Sequence, residues 1–293
     1  MHNRRNFLQL SGMAVLGAAM PELINPFVMK DPAKLSVQLY SIRDQISKDI
    51  KTSLKKLADI GFKNVETAFW PKETTMLQAA GYLKGYGLQV SSCHIEIPID
   101  KTTQQAMLDT ANIFNCKKMI WHGWPEDKRY SSLEGTKELI KIYNTAGHFA
   151  KENGLQFGLH NHWWEYRNKV GDKLVYEILN EELDKDIFFE VDTYWVKVAG
   201  HNPAAIVEKL GDRVKLMHIK DGPAVFSPKL LEDKPDPMTA VGKGTQNFPA
   251  IVKAGTHAEW LVIEMDTAAA DADVFDLLQQ SFDYLINNKF ALQ

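Results

Sequence analysis

At 293 residues, with 45% apolar and 24% charged side chains, the chain has the size and composition of one large α/β domain and is too apolar to be disordered. Its formal charge of -3 provides no basic footprint, which argues against a nucleic acid partner. The two cysteines, Cys93 and Cys116, are too few for a disulfide framework and read as small buried residues.

The first segment looks like an address rather than a fold. Arg4-Arg5 stands before Asn6-Phe7-Leu8 and a weakly apolar run to Met20 that is broken by Gly12 and Gly17. Twin arginines ahead of such a run predict a Tat-like export signal over residues 1–20 and a periplasmic destination. The run falls short of the roughly 20 residues a membrane span needs, and no later stretch offers one, so no stable membrane insertion is expected. Residues 21–34, Pro-rich, read as a linker, and residues 35–293 as a single domain.

From there, eight short apolar runs alternate with amphipathic stretches. They are Leu35–Ile42, Asn64–Phe69, Gln89–Ile95, Lys118–His122, Gln156–Asn161, Ile187–Asp192, Lys215–Ile219 and Trp260–Glu264. Ile50, Ser53, Leu54, Leu57 and Ala58 repeat at helical spacing, and Ala111, Ile113 and Phe114 close another helix. Glycines at 61, 87, 154 and 211 stand where helices should end in a left-handed cap. Nearly continuous apolar strands suit a parallel sheet covered on both faces. Eight βα units, with no glycine-rich loop after the first strand, predict a (β/α)8 TIM barrel. The long stretch Asp221–Gly244, with four prolines, reads as a lid or binding loop.

The polar residues fall at the carboxyl ends of the strands, where barrel active sites lie. They are Glu66; His94 and Glu96; His122; His160, Asn161 and His162; Glu190 and Asp192; His218 and Lys220; Glu264 and Asp266. Each alone is an ordinary capping or hydrogen-bonded residue, but burying so many ionisable groups without a purpose would be costly. Mixed histidine and carboxylate donors suit one divalent ion such as Mn, Zn, Co, Fe or Mg, and are too oxygen-poor for a dedicated calcium site. Asp192, His218 and Glu264 lie on consecutive strands and form one arc. The fourth ligand should come from strand 5, where alternation turns Gly158, His160 and His162 inward. Gln38, Glu66, His94, His122 and His162 are candidates for substrate contacts, as are Trp124 and Trp195, since aromatic rings near strand ends often stack on sugars.

Gly158-Leu159-His160-Asn161-His162, Phe189-Glu190-Val191-Asp192-Thr193, Met217-His218-Ile219-Lys220-Asp221-Gly222 and Val262-Ile263-Glu264-Met265-Asp266 together resemble the xylose isomerase-like TIM-barrel family. That superfamily takes in sugar phosphate isomerases and epimerases, inosose and 3-dehydroshikimate dehydratases and AP endonuclease 2-type proteins. The resemblance runs from Leu35 to the end, and Gly242-Lys243-Gly244 fits it too. It implies a metal held by Glu, Asp, His and Glu from strands 5 to 8. Asp192, His218 and Glu264 match the last three, whereas strand 5 reads His160-Asn161-His162-Trp163-Trp164-Glu165. Either His160 or Glu165, reaching back from the loop, takes the first place. In the epimerases the two glutamates act as paired bases, so a histidine there favours one-base chemistry, with Glu264 or Lys220 as base and a histidine as acid. The His-Asn-His variant further resembles enzymes acting on 3-keto-sugars and 3-keto-glycosides.

The expected function is therefore a metal-dependent isomerase or epimerase on a small sugar or keto-sugar. A 3-keto-glycoside lyase or dehydratase on the same site is the alternative, and a non-catalytic sugar-binding barrel stands behind both. A nuclease of the same superfamily is disfavoured by the acidic balance and the export signal. A homo-oligomer stays open.

Overall fold

A computed structural model describes residues 31–123, 127–232 and 235–293. The expected export signal, most of the linker and Trp124 lie outside the described residues. Pro32–Gln293 form one compact unit.

Eight strands close into a barrel: β1 (Lys34–Gln38), β2 (Asn64–Thr67), β3 (Gln89–His94), β4 (Lys118–Trp121), β5 (Gln156–His160), β6 (Phe188–Asp192), β7 (Val214–Ile219) and β8 (Trp260–Ile263). Neighbours run parallel, and β8 pairs with β1 to complete the ring. The predicted (β/α)8 architecture is what the chain adopts. Most of the apolar runs extend past the strands they contain, because polar side chains stop the ladder. β1 ends at Gln38, whose side chain accepts from the Tyr40 backbone N–H at 3.2 Å and starts a 3-10 turn over Leu39–Ile42. β6 ends likewise at Asp192, which caps the helix Thr193–Val198.

The helices follow their predicted faces. Helix Ile50–Ile60 is capped by Asp49, buries Ser53, Leu54 and Leu57, and stops at Gly61, whose φ of 121° no L side chain adopts readily. A large apolar layer between strands and helices forms the main core. Inside the barrel a second, small cluster of Ile120, Phe188, Leu216 and Val262 makes a floor. Gly158 is required there, since a Cβ at that position would meet the Phe188 ring at 2.2 Å. Above this floor, period-two alternation on each strand delivers polar side chains.

The Asp221–Gly244 segment is anchored at its base. The Asp221 carboxylate accepts backbone N–H groups from Gly222, Gly242, Gly244 and Gln246 at 2.9–3.1 Å. Thr239 N also donates to Asp221 O at 3.0 Å. Among the described residues no helix is long and apolar enough to cross a membrane.

Candidate metal centre

The upper positions of β5 to β8 converge. Ligand atoms of His160, Asp192, His218 and Glu264 all lie within 4.8 Å of one another. His218 Nδ1 is 2.7 Å from Glu264 Oε2 and 4.0 Å from Asp192 Oδ2, while His160 Nε2 stands 3.9 Å from Asp192 Oδ2. Asp192 is oriented from behind. Its Oδ1 accepts from Tyr194 N and Trp195 N at 2.9 Å, which leaves Oδ2 for the centre. Asn161 bridges β5 and β6 by accepting from Asp192 N at 2.9 Å and donating to Asp192 O at 3.3 Å.

Lys220 completes this layer. Its Nζ is 2.8 Å from Asp192 Oδ2, 2.7 Å from Glu264 Oε2 and 2.8 Å from Asp266 Oδ2. Burial works against its charge, but the facing carboxylates of Asp192, Asp266 and Glu264 outweigh it and hold the ammonium well above the usual lysine range. Burial also works against charge on Glu264, yet Lys220 and His218 keep its carboxyl below the usual range. Asp266 and Asp192 go the other way: burial raises both, Asp266 to about 6. Trp195 walls this side, its ring centroid 5.6 Å from Lys220 Nζ.

A second polar layer lies beneath. Gln38 Nε2 donates to Glu66 Oε1 at 2.7 Å and Ser92 Oγ donates to Glu66 Oε2 at 2.5 Å. Glu66 Oε1 also meets His218 Nε2 at 2.7 Å and His94 Nε2 at 3.2 Å. Glu190 stands at the middle of this layer, with Oε2 at 2.8 Å from His94 Nε2 and 3.2 Å from both His160 Nδ1 and His218 Nε2. His94 is disfavoured as a cation by burial, but Glu66 and Glu190 raise it to about 10. Burial and neighbouring cations push His160 the opposite way, so its ring stays neutral and available as a donor.

Of the two residues weighed for strand 5, His160 joins the group and Glu165 does not. Glu165 Oε2 accepts from His162 N at 3.0 Å, and its carboxyl faces an apolar pocket with Trp121, Tyr130, Tyr143 and Leu159. Strand 5 ends at His160, so a residue five positions on has already turned to the outside of the barrel; burial there raises Glu165 to about 8. Gln38 and Glu66, expected to meet substrate, are committed to protein partners below the centre. His94, a member of the lower layer, stacks on His122 with centroids 5.7 Å apart, and His162 stacks on Trp164 at 4.3 Å. Trp163 meets Phe226 edge-on at 5.2 Å. Glu190 was visible among the strand-end polar residues but was not assigned to the site; counting back two from Asp192 is the signal that finds it.

Imidazole and carboxylate donors in this mixture fit a divalent transition ion. The excess of acid supports the fit: three carboxylates (Asp192, Glu264 and Asp266) share the one ammonium of Lys220, and Glu66 and Glu190 lie against histidines below. Buried atoms without a hydrogen bond include His160 Nδ1 and Glu190 Oε1.

An eight-stranded barrel with a buried histidine and carboxylate cluster at its carboxyl mouth defines the class. The chain belongs to the xylose isomerase-like TIM barrel family, whose pattern matches residues 54–286. It is 25% identical over 174 residues to an inosose dehydratase of Clostridium beijerinckii, a match that takes in 55% of this chain and 57% of that enzyme. In structure it resembles a sugar phosphate isomerase/epimerase from Parabacteroides distasonis, with TM-score 0.73 and 22% identity over 89% of this chain and 96% of that one. It also resembles the IolI protein with a bound zinc atom, with TM-score 0.68 and 13% identity over 88% of this chain and 100% of that one.

Proposed function

We propose that the chain is a divalent-metal-dependent isomerase or epimerase that moves a proton beside the carbonyl of a sugar or keto-sugar. The observation that carries this reading is the convergence of His160, Asp192, His218 and Glu264 within 4.8 Å, directly against Lys220. Those four residues would hold one ion, whether Zn, Mn, Co, Fe or Mg. A metal there supplies polarisation of a substrate carbonyl or hydroxyl. Glu264, ionised at neutral pH, accepts the proton from the adjacent carbon. Lys220 keeps its charge and holds the oxygen on which negative charge grows. Asp192 and Asn161 fix the frame between β5 and β6. The activities of the isomerase/epimerase and dehydratase relatives support a small sugar-like substrate.

One observation favours a second reading. With His160 in the strand-5 place where the epimerase resemblance implies a glutamate, Glu264 is the one glutamate left of the pair that acts as two bases. One base suits a lyase or dehydratase acting on a 3-keto-glycoside as well as it suits an isomerase. Incubating metal-loaded protein with free and 3-oxidised glucosides in heavy water separates them. Deuterium at C2 with the glycoside intact supports the isomerase or epimerase, and loss of the aglycone supports the lyase. No exchange with any keto-sugar overturns both. We further propose export, which rests on Arg4-Arg5; replacing both with lysine should retain the protein in the cytoplasm.

A further inference from the structure

We propose that His94, His160, Glu190 and His218 form a second metal position, beneath the one just described and independent of Asp192 and Glu264. Glu190 Oε2 lies 2.8 Å from His94 Nε2 and 3.2 Å from each of His160 Nδ1 and His218 Nε2. An ion with bonds of about 2.0–2.1 Å holds tetrahedral ligands roughly 3.3 Å apart, close to the three separations from Glu190 Oε2, and the ligand atoms of all four residues lie within 4.8 Å of one another. Three imidazole nitrogens and one carboxylate select zinc, cobalt or another nitrogen-preferring ion over magnesium or calcium.

The contrast with the upper layer points the same way. There Asp192, Glu264 and Asp266 share the fixed ammonium of Lys220. In the lower layer the ion-pair partners of Glu66 and Glu190 are imidazoles, and no lysine or arginine reaches them among the described ion pairs. His160 Nδ1 comes within reach of Glu190 Oε2 without the alignment of a hydrogen bond, and Glu190 Oε1 has no partner. Both side chains are more than nine-tenths buried. A buried donor and acceptor left unmatched side by side are what a bound cation would satisfy. His160 and His218 can serve either layer without moving, because each turns its other ring nitrogen, Nε2 and Nδ1, to the upper one.

Residues that belong to one layer only provide the test, with Co(II) as the probe. In the full chain, the D192N/E264Q double variant should still take up one equivalent of cobalt, with the intense visible absorption of a nitrogen-rich, four-coordinate ion. Adding H94N should abolish that uptake. E190Q, isosteric with the native residue, serves as the check against misfolding and should weaken cobalt binding at least tenfold with the melting transition retained. If D192N/E264Q binds no cobalt, or binds it with the same spectrum after H94N and E190Q, the lower layer is a hydrogen-bonded histidine cluster and the proposal is overturned. Wild-type protein that takes up no metal defeats this proposal and the functional reading together. Cobalt binding of the expected pattern without deuterium exchange on keto-sugars defeats the functional reading alone.

Discussion

His218 is 2.7 Å from Glu264 through Nδ1, and through Nε2 it is equally close to Glu66. One imidazole thus ties the upper layer of the centre to the lower one. Burial opposes its charge, but Glu190, Glu264 and Glu66 raise it well above the usual histidine range. His94 rises to about 10 by the same competition. Both folded values exceed the unfolded value of about 6.5, so their contribution to stability is complete below pH 6.5 and is lost as pH rises through the folded values. Metal-stripped protein should therefore melt at progressively lower temperature from pH 6.5 to 10. A calorimetric pH series in chelator checks this, and a melting temperature flat across that window would contradict it.

A metal on His218 must displace its proton. Metal binding should release protons near pH 7, and affinity should weaken as pH falls. Titration of zinc into weakly buffered protein with a pH indicator measures the release.

Asp192 has two tasks that substitution can separate. Asp192→Asn keeps an oxygen to cap Tyr194 N and Trp195 N, so stability should change little while the ion of the upper layer is lost. Asp192→Ala should lose the upper-layer ion and about 1 kcal/mol more through the cap. Metal analysis beside denaturant melts distinguishes them; a metal stoichiometry equal to the wild type's in either variant would show that the upper site is misplaced.

Removing the Lys220 ammonium leaves three carboxylates facing one another. Lys220→Met should destabilise metal-stripped protein by about 3–5 kcal/mol, the usual cost of breaking a buried charge pair. Added zinc should recover more stability in this variant than in the wild type, because the ion replaces the missing charge. Melting temperatures with and without zinc test the comparison.

Glu165 gives a prediction at the other side of the β5 wall. Burial raises its carboxyl to about 8, from an unfolded value near 4.5. Its stabilising contribution is complete below pH 4.5 and is lost as pH rises through 8. Glu165→Gln should thus gain on the wild type by at most about 1.4 kcal/mol per pH unit between those limits, with metal content unchanged. Parallel urea melts at pH 5 and 8 read the difference.

Much of this centre is readable in the sequence because strand alternation fixes which face a side chain takes. Asp192, His218 and Glu264 meet as their spacing implies, and His160 follows from the inward set of Gly158, His160 and His162. Depth is a different matter. A barrel staggers its strands, so residues equally near their strand ends stand at different heights. Glu66 and Glu190 lie lower than their places in the chain suggest, and the pairing register shifts beside each of them, between Val65 and Glu66 and between Phe189 and Glu190. No periodicity announces such shifts. Glu165 misleads for the opposite reason: the chain leaves the ladder after His160, and alternation carries no information beyond it.

The four backbone bonds to Asp221 clamp the two ends of the segment after β7 on one carboxylate, while Phe226 packs on Trp163 and Arg167 farther along. A clamp of this kind makes the segment a replaceable cassette. Exchanging the residues between the clamped ends should leave the strand that carries His218 in place, because the bonds to Asp221 hold those ends. Selection and protein engineering alike can thus vary the residues between the clamped ends while the strand ends below stay fixed. Gly244 guards that separation, since a Cβ on it would strike the Asp221 carboxylate at 2.3 Å and open the clamp.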